Sequence, residues 1–132
     1  MIIGEAPGET EERLGKPFLG AAGKLLSDLL KIAEIDRDSC YITNVFMDRP
    51  PGNKIEAFFT NKKEAKAEWE GNGLPFPDLP LRPGKFLKVQ YASEISRLAS
   101  EIREVNPFLI ITLGATASWA VLDSPKIGHI RS

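Results

Sequence analysis

The apolar residues of the chain occur in two patterns, short continuous runs and helical spacing, and these patterns predict strands that alternate with helices. Residues 1–3 (MII) are typical of the end of a buried strand, and residues 40–45 (CYITNV) predict a second strand. Between them, from Gly23 to Ala33, apolar residues recur at helical spacing. Another helix is predicted from Ser93, as its N-cap, to the break at Pro107. Its buried face is expected to consist of Ile95, Leu98, Ala99, Ile102 and Val105.

The third predicted strand is a continuous apolar run from Phe108 to Leu113 (FLIITL). Such a run is typical of a strand buried on both faces of a parallel sheet. Gly114 then turns the chain into a predicted helix over residues 115–122 (ATASWAVL). Strands that alternate with helices in this way predict an α/β fold with a doubly wound parallel sheet. We expect three strands in the spatial order 2-1-3.

One segment interrupts the alternation. Residues 54–90 begin with a short helical pattern and contain four prolines between residues 75 and 83. We therefore expect an irregular surface excursion over this segment rather than a strand or a long helix. The length of 132 residues suits a single domain, residues 1–132, with a modest core.

Composition limits the chemistry that the chain can carry. Apolar residues make up 42% and charged residues 27%, as in soluble globular proteins, and no apolar run has membrane-spanning length. The formal net charge of −1 gives no general attraction to nucleic acid. The single cysteine, Cys40, excludes an intrachain disulfide and a cysteine-built metal site within the chain. It suits a reducing, cytoplasmic setting.

A glycine-rich stretch, GEAPGETEERLGKPFLGAAGKLL (4–26), runs from the first strand into the first helix. A loop of this kind often binds phosphate, because glycine lets the backbone approach a ligand closely. The dinucleotide fingerprint G-x-G-x-x-G and the P-loop are both absent, since Leu25 follows Gly23 and Lys24. The loop also carries acids that would repel a polyphosphate: Glu5, Glu9, Glu11 and Glu12. These features argue against a flavodoxin-like nucleotide binder.

Ligands of open α/β sheets bind beyond the carboxyl ends of the strands. The glycine-rich stretch follows the first strand, and Asn44 ends the second. Glu5 and Asn44 are therefore expected at the same edge of the sheet.

Three motifs together resemble the uracil-DNA glycosylase superfamily, most closely its family-four type and phage-encoded relatives. They are GEAPGETEERLGKPFLGAAGKLL, YITNVFMDRPPGNK (41–54) and FLIITLGATA (108–117). The resemblance covers nearly the whole chain except residues 54–90. It implies an enzyme of base excision repair that acts on uracil-containing DNA. Such an enzyme flips uracil out of the stack and hydrolyses its N-glycosidic bond, here without a metal or cofactor.

The resemblance also assigns the residues of the site. Glu5 is the expected catalytic carboxylate, which faces the sugar cation or orients water. Phe18 would stack on the base, and Ala6 would contact it as well. The Asn44 carboxamide complements the O4 acceptor and N3–H donor of uracil, whereas cytosine reverses this pair. Backbone and phosphate contacts are expected from Gly4, Pro7, Gly8, Gly20 and Arg49.

The chain departs from the family at two places. Family-four enzymes carry an iron–sulfur cluster on four cysteines, one of them in a K-C-R-P-P stretch where this chain has Asp48. The resemblance therefore implies no cluster here, and we expect residues 54–90 to replace it as a packing unit. The later H-P-S type segment, whose histidine is thought to stabilise the leaving uracil, is missing together with a fourth strand. His129 precedes the expected position and is not assigned this role.

Without a fourth strand, Phe108–Leu113 would form an apolar edge of the sheet, which is an aggregation hazard. We therefore expect either a chain that is incomplete at its C-terminus or a partner chain that covers this edge. A second function stays open, a catalytically silent nucleic-acid-binding or accessory module of a phage replication or DNA-protection system. Activity that depends on Glu5 would exclude it.

Overall fold

A computed structural model of the protein describes residues 1–15 and 21–123. Its strands are β1 (Ile2–Gly4), β2 (Ile42–Asn44), β3 (Phe59–Thr60), β4 (Phe86–Leu87) and β5 (Ile111–Thr112). Its α-helices are α1 (Glu9–Leu14), α2 (Ala21–Ile32), α3 (Lys62–Gly71), α4 (Ala92–Val105) and α5 (Ala115–Asp123). None of the helices described has both the length and the apolar character needed to cross a membrane.

A parallel sheet with the strand order β2-β1-β5 lies at the centre of the fold. Ile2 pairs with Ile42 on one side and with Ile111 on the other. Since β1, β2 and β5 are the first, second and third predicted strands, the predicted α/β class and the spatial order 2-1-3 are confirmed. Ile2 and Ile3 are completely buried because β1 has a strand on each side.

The strand β5 is shorter and more exposed than its apolar sequence predicts. Phe108 is fully exposed and Leu109 is 60% exposed. The prediction of a strand buried on both faces over Phe108–Leu113 is therefore wrong. The parallel pairing of Ile111 with Ile2 places Phe108 ahead of the first residue of β1, and none of the described strands pairs with it there. An apolar pattern cannot reveal this register.

The two long predicted helices are confirmed, with differences in detail. Ile95, Leu98, Ala99 and Ile102 of α4 are buried, as expected, whereas Val105 is half-buried. The helix begins at Ala92 rather than after a Ser93 cap, because a 3-10 turn at Val89–Tyr91 leads directly into it. In α2, Leu26 and Leu30 are buried, but Leu25 and Leu29 of the same apolar pattern are exposed.

The glycine-rich stretch is not a loop throughout, because it contains α1. Gly8 is the N-cap of this helix, and its amide donates to Glu11 Oε1 at 2.9 Å. Gly15 ends the helix with a φ of 71°, a left-handed conformation that favours glycine. The four charged residues between these two glycines favour a helix, and Gly8 caps it. The many glycines of the stretch made a loop the expected structure and hid this local helix signal.

The prediction of an irregular surface excursion over residues 54–90 is wrong for most of the segment. β3 and β4 pair in antiparallel fashion, with Phe59 opposite Leu87. Trp69 of α3 is buried, and its Nε1 donates to the carbonyl oxygen of Leu87 at 2.8 Å. The irregular part is confined to residues 72–85. Aromatic residues of the segment share the main core with Phe46, and they are Phe58, Phe59, Trp69 and Phe86.

Gly114, in the turn from β5 to α5, should be destabilised by a side chain. Its φ is 94°, and a Cβ there would meet no atom within 4 Å, so the cost of Gly114→Ala is one of backbone conformation alone. We expect the free energy of unfolding to fall by about 1–2 kcal/mol in urea denaturation. Gly71→Ala is the matched control, because Gly71 lies in α3 with open space and no positive φ. That control should be neutral or slightly stabilising. Equal stability changes in the two variants would contradict the prediction.

Candidate active site

The carboxyl ends of β1 and β2 bring two of the predicted site residues together. Gly4 is paired with Asn44, so Glu5 and Asn44 lie on neighbouring strand ends. Hydrogen bonds continue past the strands, from Val45 N to Gly4 O at 2.9 Å and from Phe46 N to Glu5 O at 3.0 Å. The expectation that Glu5 and Asn44 share one edge of the sheet agrees with this geometry.

Glu5 is exposed, but a buried residue holds its carboxylate. Thr116 of α5 donates from Oγ1 to Glu5 Oε2 at 2.5 Å, and Thr116 is only 3% exposed. Within residues 1–15 and 21–123, no hydrogen bond occupies Oε1 of Glu5. The carboxylate is therefore fixed at one oxygen and has the other available. Sequence reasoning missed Thr116, although the motif LGATA places it just past the carboxyl edge of the third strand.

Asn44 is 7% exposed, and its carboxamide has no hydrogen-bond partner among the residues described. Its backbone oxygen accepts a hydrogen bond from Arg97 Nη2 at 2.8 Å. Among the described residues, the Asn44 carboxamide is not one of the fully buried groups without a partner, so solvent reaches it, and a ligand that supplies one donor and one acceptor could pair with it. Asn44 is therefore the strongest candidate for a ligand-reading residue at this edge.

Asn44 lines a half-open cavity of about 450 Å³, within the usual size range of ligand sites. Pro7 lines it as well, and so does Gly15, which lies three residues before Phe18. Since four carboxylates line the cavity, a neutral ring suits it better than a phosphate. The lining residues are Pro7, Glu11, Glu12, Gly15, Tyr41, Ile42, Thr43, Asn44, Met47, Asp48 and Glu101.

Arg97 of α4 hydrogen-bonds to backbone carbonyl groups at the carboxyl end of β2. Its Nη2 donates to Asn44 O at 2.8 Å and to Val45 O at 2.7 Å, and its Nη1 is paired with Glu101. Glu94 Oε1 lies 3.6 Å from the Arg97 Nε, and its Oε2 accepts from the amide of Met47 at 2.5 Å. The spacing Glu94, Arg97, Glu101 places all three on one helix face. This spacing was the available signal, and sequence reasoning did not use it.

Tyr41 extends the same network and should titrate at unusually high pH. Its hydroxyl donates to Glu101 Oε1 at 2.5 Å. This hydrogen bond, then partial burial and the charge of Glu101, raise the pKa of Tyr41 above 10.0. Because the folded state retains this proton longer, the free energy of unfolding should fall as pH rises above 10. The difference in phenolate absorbance between the protein and Tyr41→Phe isolates this titration. A midpoint at or below pH 10 would contradict the expectation.

The remaining predicted contact residues lie around this edge in several environments. Gly4 is buried, Pro7 lines the cavity and Ala6 packs against the main core. The Gly8 amide is engaged by Glu11, and Arg49 Nε donates to Asn53 Oδ1 at 2.8 Å. A phosphate contact from the Gly8 amide would have to replace or share its bond to Glu11, whereas Arg49 has its Nη donors besides the bonded Nε, with Nη1 3.8 Å from Glu12 Oε1. Phe18 and Gly20 lie outside the described residues.

An iron–sulfur cluster does not fit this chain. Four cysteine ligands are needed, and the sequence contains one cysteine, Cys40. Its Sγ donates to the carbonyl oxygen of Asp36 at 3.4 Å. Asp48, which the resemblance aligns with one of the family's cysteines, is exposed. No group of three or more His, Cys, Asp or Glu side chains is placed to hold a metal ion within the described ranges.

Comparison with known proteins decides the family. The profile described as "Uracil DNA glycosylase superfamily" matches residues 1–131. The chain belongs to this superfamily. The predicted membership is thereby confirmed, and the likeness to family four agrees with the relatives found.

Three similar curated proteins are each named "Type-4 uracil-DNA glycosylase". The protein of Thermotoga maritima is 34% identical over 96% of this chain and 50% of its own length. That of Sulfurisphaera tokodaii is 54% identical over 41% of this chain and 25% of its own length. That of Pyrobaculum aerophilum is 45% identical over 51% of this chain and 32% of its own length. The chain thus spans at most about half the length of these three relatives.

Proposed function

We propose that the protein is a uracil-DNA glycosylase of base excision repair. The observation that carries the proposal is Asn44, whose carboxamide has no hydrogen-bond partner among the described residues and which lines a cavity next to the strand end that carries Glu5, in a chain of this superfamily. The names of the curated relatives support the same activity. DNA that contains uracil would be the substrate, and the base would have to leave the stack to reach the cavity.

Asn44 would read the edge of the base. In uracil, the O4 acceptor lies beside the N3–H donor, and one carboxamide can pair with both. Cytosine presents a donor and an acceptor in the reverse order, so the same amide orientation would leave buried groups unpaired. Phe18 and Ala6, the other residues assigned to the base, remain part of the proposal through the family resemblance.

Glu5 would act on the sugar. Cleavage breaks the bond between C1′ and N1, and its electron pair leaves with the base while positive charge develops on the sugar. An ionised Glu5 carboxylate can stabilise this charge and orient a water molecule whose oxygen bonds to C1′. The products are an abasic sugar, which takes the hydroxyl of the water at C1′, and free uracil, whose N1 takes the remaining proton of the water. These steps use only side chains of the protein and water.

The finer predictions extend the proposal. Contacts to the DNA backbone are assigned to Gly4, Pro7, Gly8, Gly20 and Arg49. A partner over Phe108–Leu113, a link to phage biology and a cytoplasmic location remain predictions as well. The exposure of Phe108 is the observation that favours a covering partner.

The proposal is tested with labelled oligonucleotides that contain one uracil, single-stranded or double-stranded. Alkali after incubation reveals abasic sites. We expect cleavage at uracil and none in matched oligonucleotides with cytosine or thymine at that position. No cleavage by the folded protein would overturn the proposal. DNA binding without cleavage would instead favour the silent accessory module.

A further inference from the structure

We propose that Thr116 is a positioning residue that holds Glu5 in its reactive orientation. The inference deepens the proposed function and rests on it. It also gives a role to the motif LGATA, which carried the family resemblance without any residue of it being assigned to the site.

The geometry of the contact supports this role. Thr116 Oγ1 lies 2.5 Å from Glu5 Oε2, and the two residues are 111 positions apart in the sequence. A hydroxyl bonded to a charged carboxylate is a short, strong hydrogen bond. Because Thr116 is 3% exposed, its hydroxyl is itself shielded from water. The exposed carboxylate of Glu5 therefore has one fixed donor within the protein.

The direction of the Thr116 side chain is also informative. A threonine inside a helix commonly bonds to a carbonyl oxygen three or four residues earlier, but Thr116 is the second residue of α5 and its helix offers no such carbonyl. Thr116 instead donates across to the end of β1. The sharp turn at Gly114, with a φ of 94°, places the first turn of α5 at the carboxyl edge of the sheet. The helix thus delivers this hydroxyl to the edge where Glu5 and Asn44 lie.

One tethered oxygen has a chemical consequence. A glutamate side chain on the surface samples several rotamers, and the carboxylate can face a sugar only in some of them, so selecting these costs conformational entropy. A hydrogen bond to Oε2 restricts this search and leaves Oε1 available for the sugar cation or a water. Such preorganisation affects the chemical step more than DNA binding, because the charge that it serves develops only in the transition state.

Four variants test the inference. Thr116→Val removes the hydroxyl at nearly constant shape, and Thr116→Ser restores it. Ser118→Ala is the matched control, because Ser118 lies on the same helix and its hydroxyl contacts Thr112 Oγ1 at 3.0 Å rather than Glu5. Glu5→Gln provides the background for a double variant with Thr116→Val.

The expected result is a loss confined to chemistry. Thr116→Val should slow single-turnover uracil release roughly 10-fold to 100-fold with unchanged Kd for the DNA. Thr116→Ser should lie within about threefold of the parent protein, as should Ser118→Ala. In the Glu5→Gln background, Thr116→Val should cause no further loss, because it acts through the Glu5 carboxylate.

Two results would overturn the inference. One is a parent-like rate for Thr116→Val, and the other is a Thr116→Val loss that adds in full to that of Glu5→Gln. If the parent protein releases no uracil, the proposed function fails, and crystal structures decide the positioning role separately. A displaced Glu5 carboxylate in Thr116→Val would then support the role, and an unmoved one would contradict it.

Discussion

Glu5→Gln should slow uracil release by about 10² to 10⁴-fold. Glutamine keeps the size of the side chain and an oxygen that can accept from Thr116. It removes the negative charge that would face the sugar cation and the basic oxygen that would orient water. Fold and DNA binding should therefore survive while the chemical step is lost. Single-turnover release of uracil from a labelled oligonucleotide measures the effect.

Glu68→Gln is the matched control for this prediction. The Glu68→Gln substitution removes the same charge, but from an exposed residue of α3 that does not line the cavity. It should react at the parent rate. Undiminished release by Glu5→Gln would remove Glu5 from the mechanism, even if the protein is confirmed as a glycosylase. Equal losses in both variants would point to the overall charge of the protein instead.

Arg97→Met should give the largest loss of stability, about 2–4 kcal/mol in the free energy of unfolding. The guanidinium donates to the backbone oxygens of Asn44 and Val45 and pairs with Glu94 and Glu101. Methionine would leave two partly buried carboxylates and two carbonyl oxygens without this partner. Urea denaturation followed by circular dichroism measures the change.

Arg103→Met separates this effect from the general effect of losing an arginine on α4. Arg103 is exposed, and its Nη2 donates to Ser100 Oγ at 3.2 Å. Its replacement should change stability by no more than about 0.5 kcal/mol. Similar losses in Arg97→Met and Arg103→Met would show that the network around Arg97 does not stabilise the fold. The stability loss of Arg97→Lys should lie between those of Arg97→Met and Arg103→Met, because a lysine cannot reproduce the forked donors of the guanidinium.

The parts of the fold that could be predicted are those set by local periodicity. The strands around Ile2, Ile42 and Ile111 and the helices between them follow from apolar spacing. The meeting of Glu5 and Asn44 follows from a general property of parallel sheets, whose strands end at a common edge. Neither conclusion requires knowledge of which side chains touch.

The parts that could not be predicted depend on contacts between distant residues. The prolines of residues 54–90 suggested an irregular segment, but Trp69 and Phe86 are buried in the core beside Phe46. Whether an aromatic residue is buried depends on residues that pack against it from distant parts of the chain, and a local stretch of sequence does not reveal these residues. Thr116 and Arg97 were missed for the same reason, since each acts on a residue of another element.

The position of β1 has a consequence for the order of folding. Of the described strands, the central one, β1, is synthesised before its two neighbours, and β5 follows it by more than a hundred residues, as the 111-residue separation of Glu5 and Thr116 illustrates. Closing so long a loop is entropically slow, so the β1–β5 pair should form late. During translation, β1 and β2 can pair while one side of β1 is still open. The carboxylate of Glu5 would then acquire its tether only after β5 and α5 have docked, so this part of the site would form later than the β1–β2 pair.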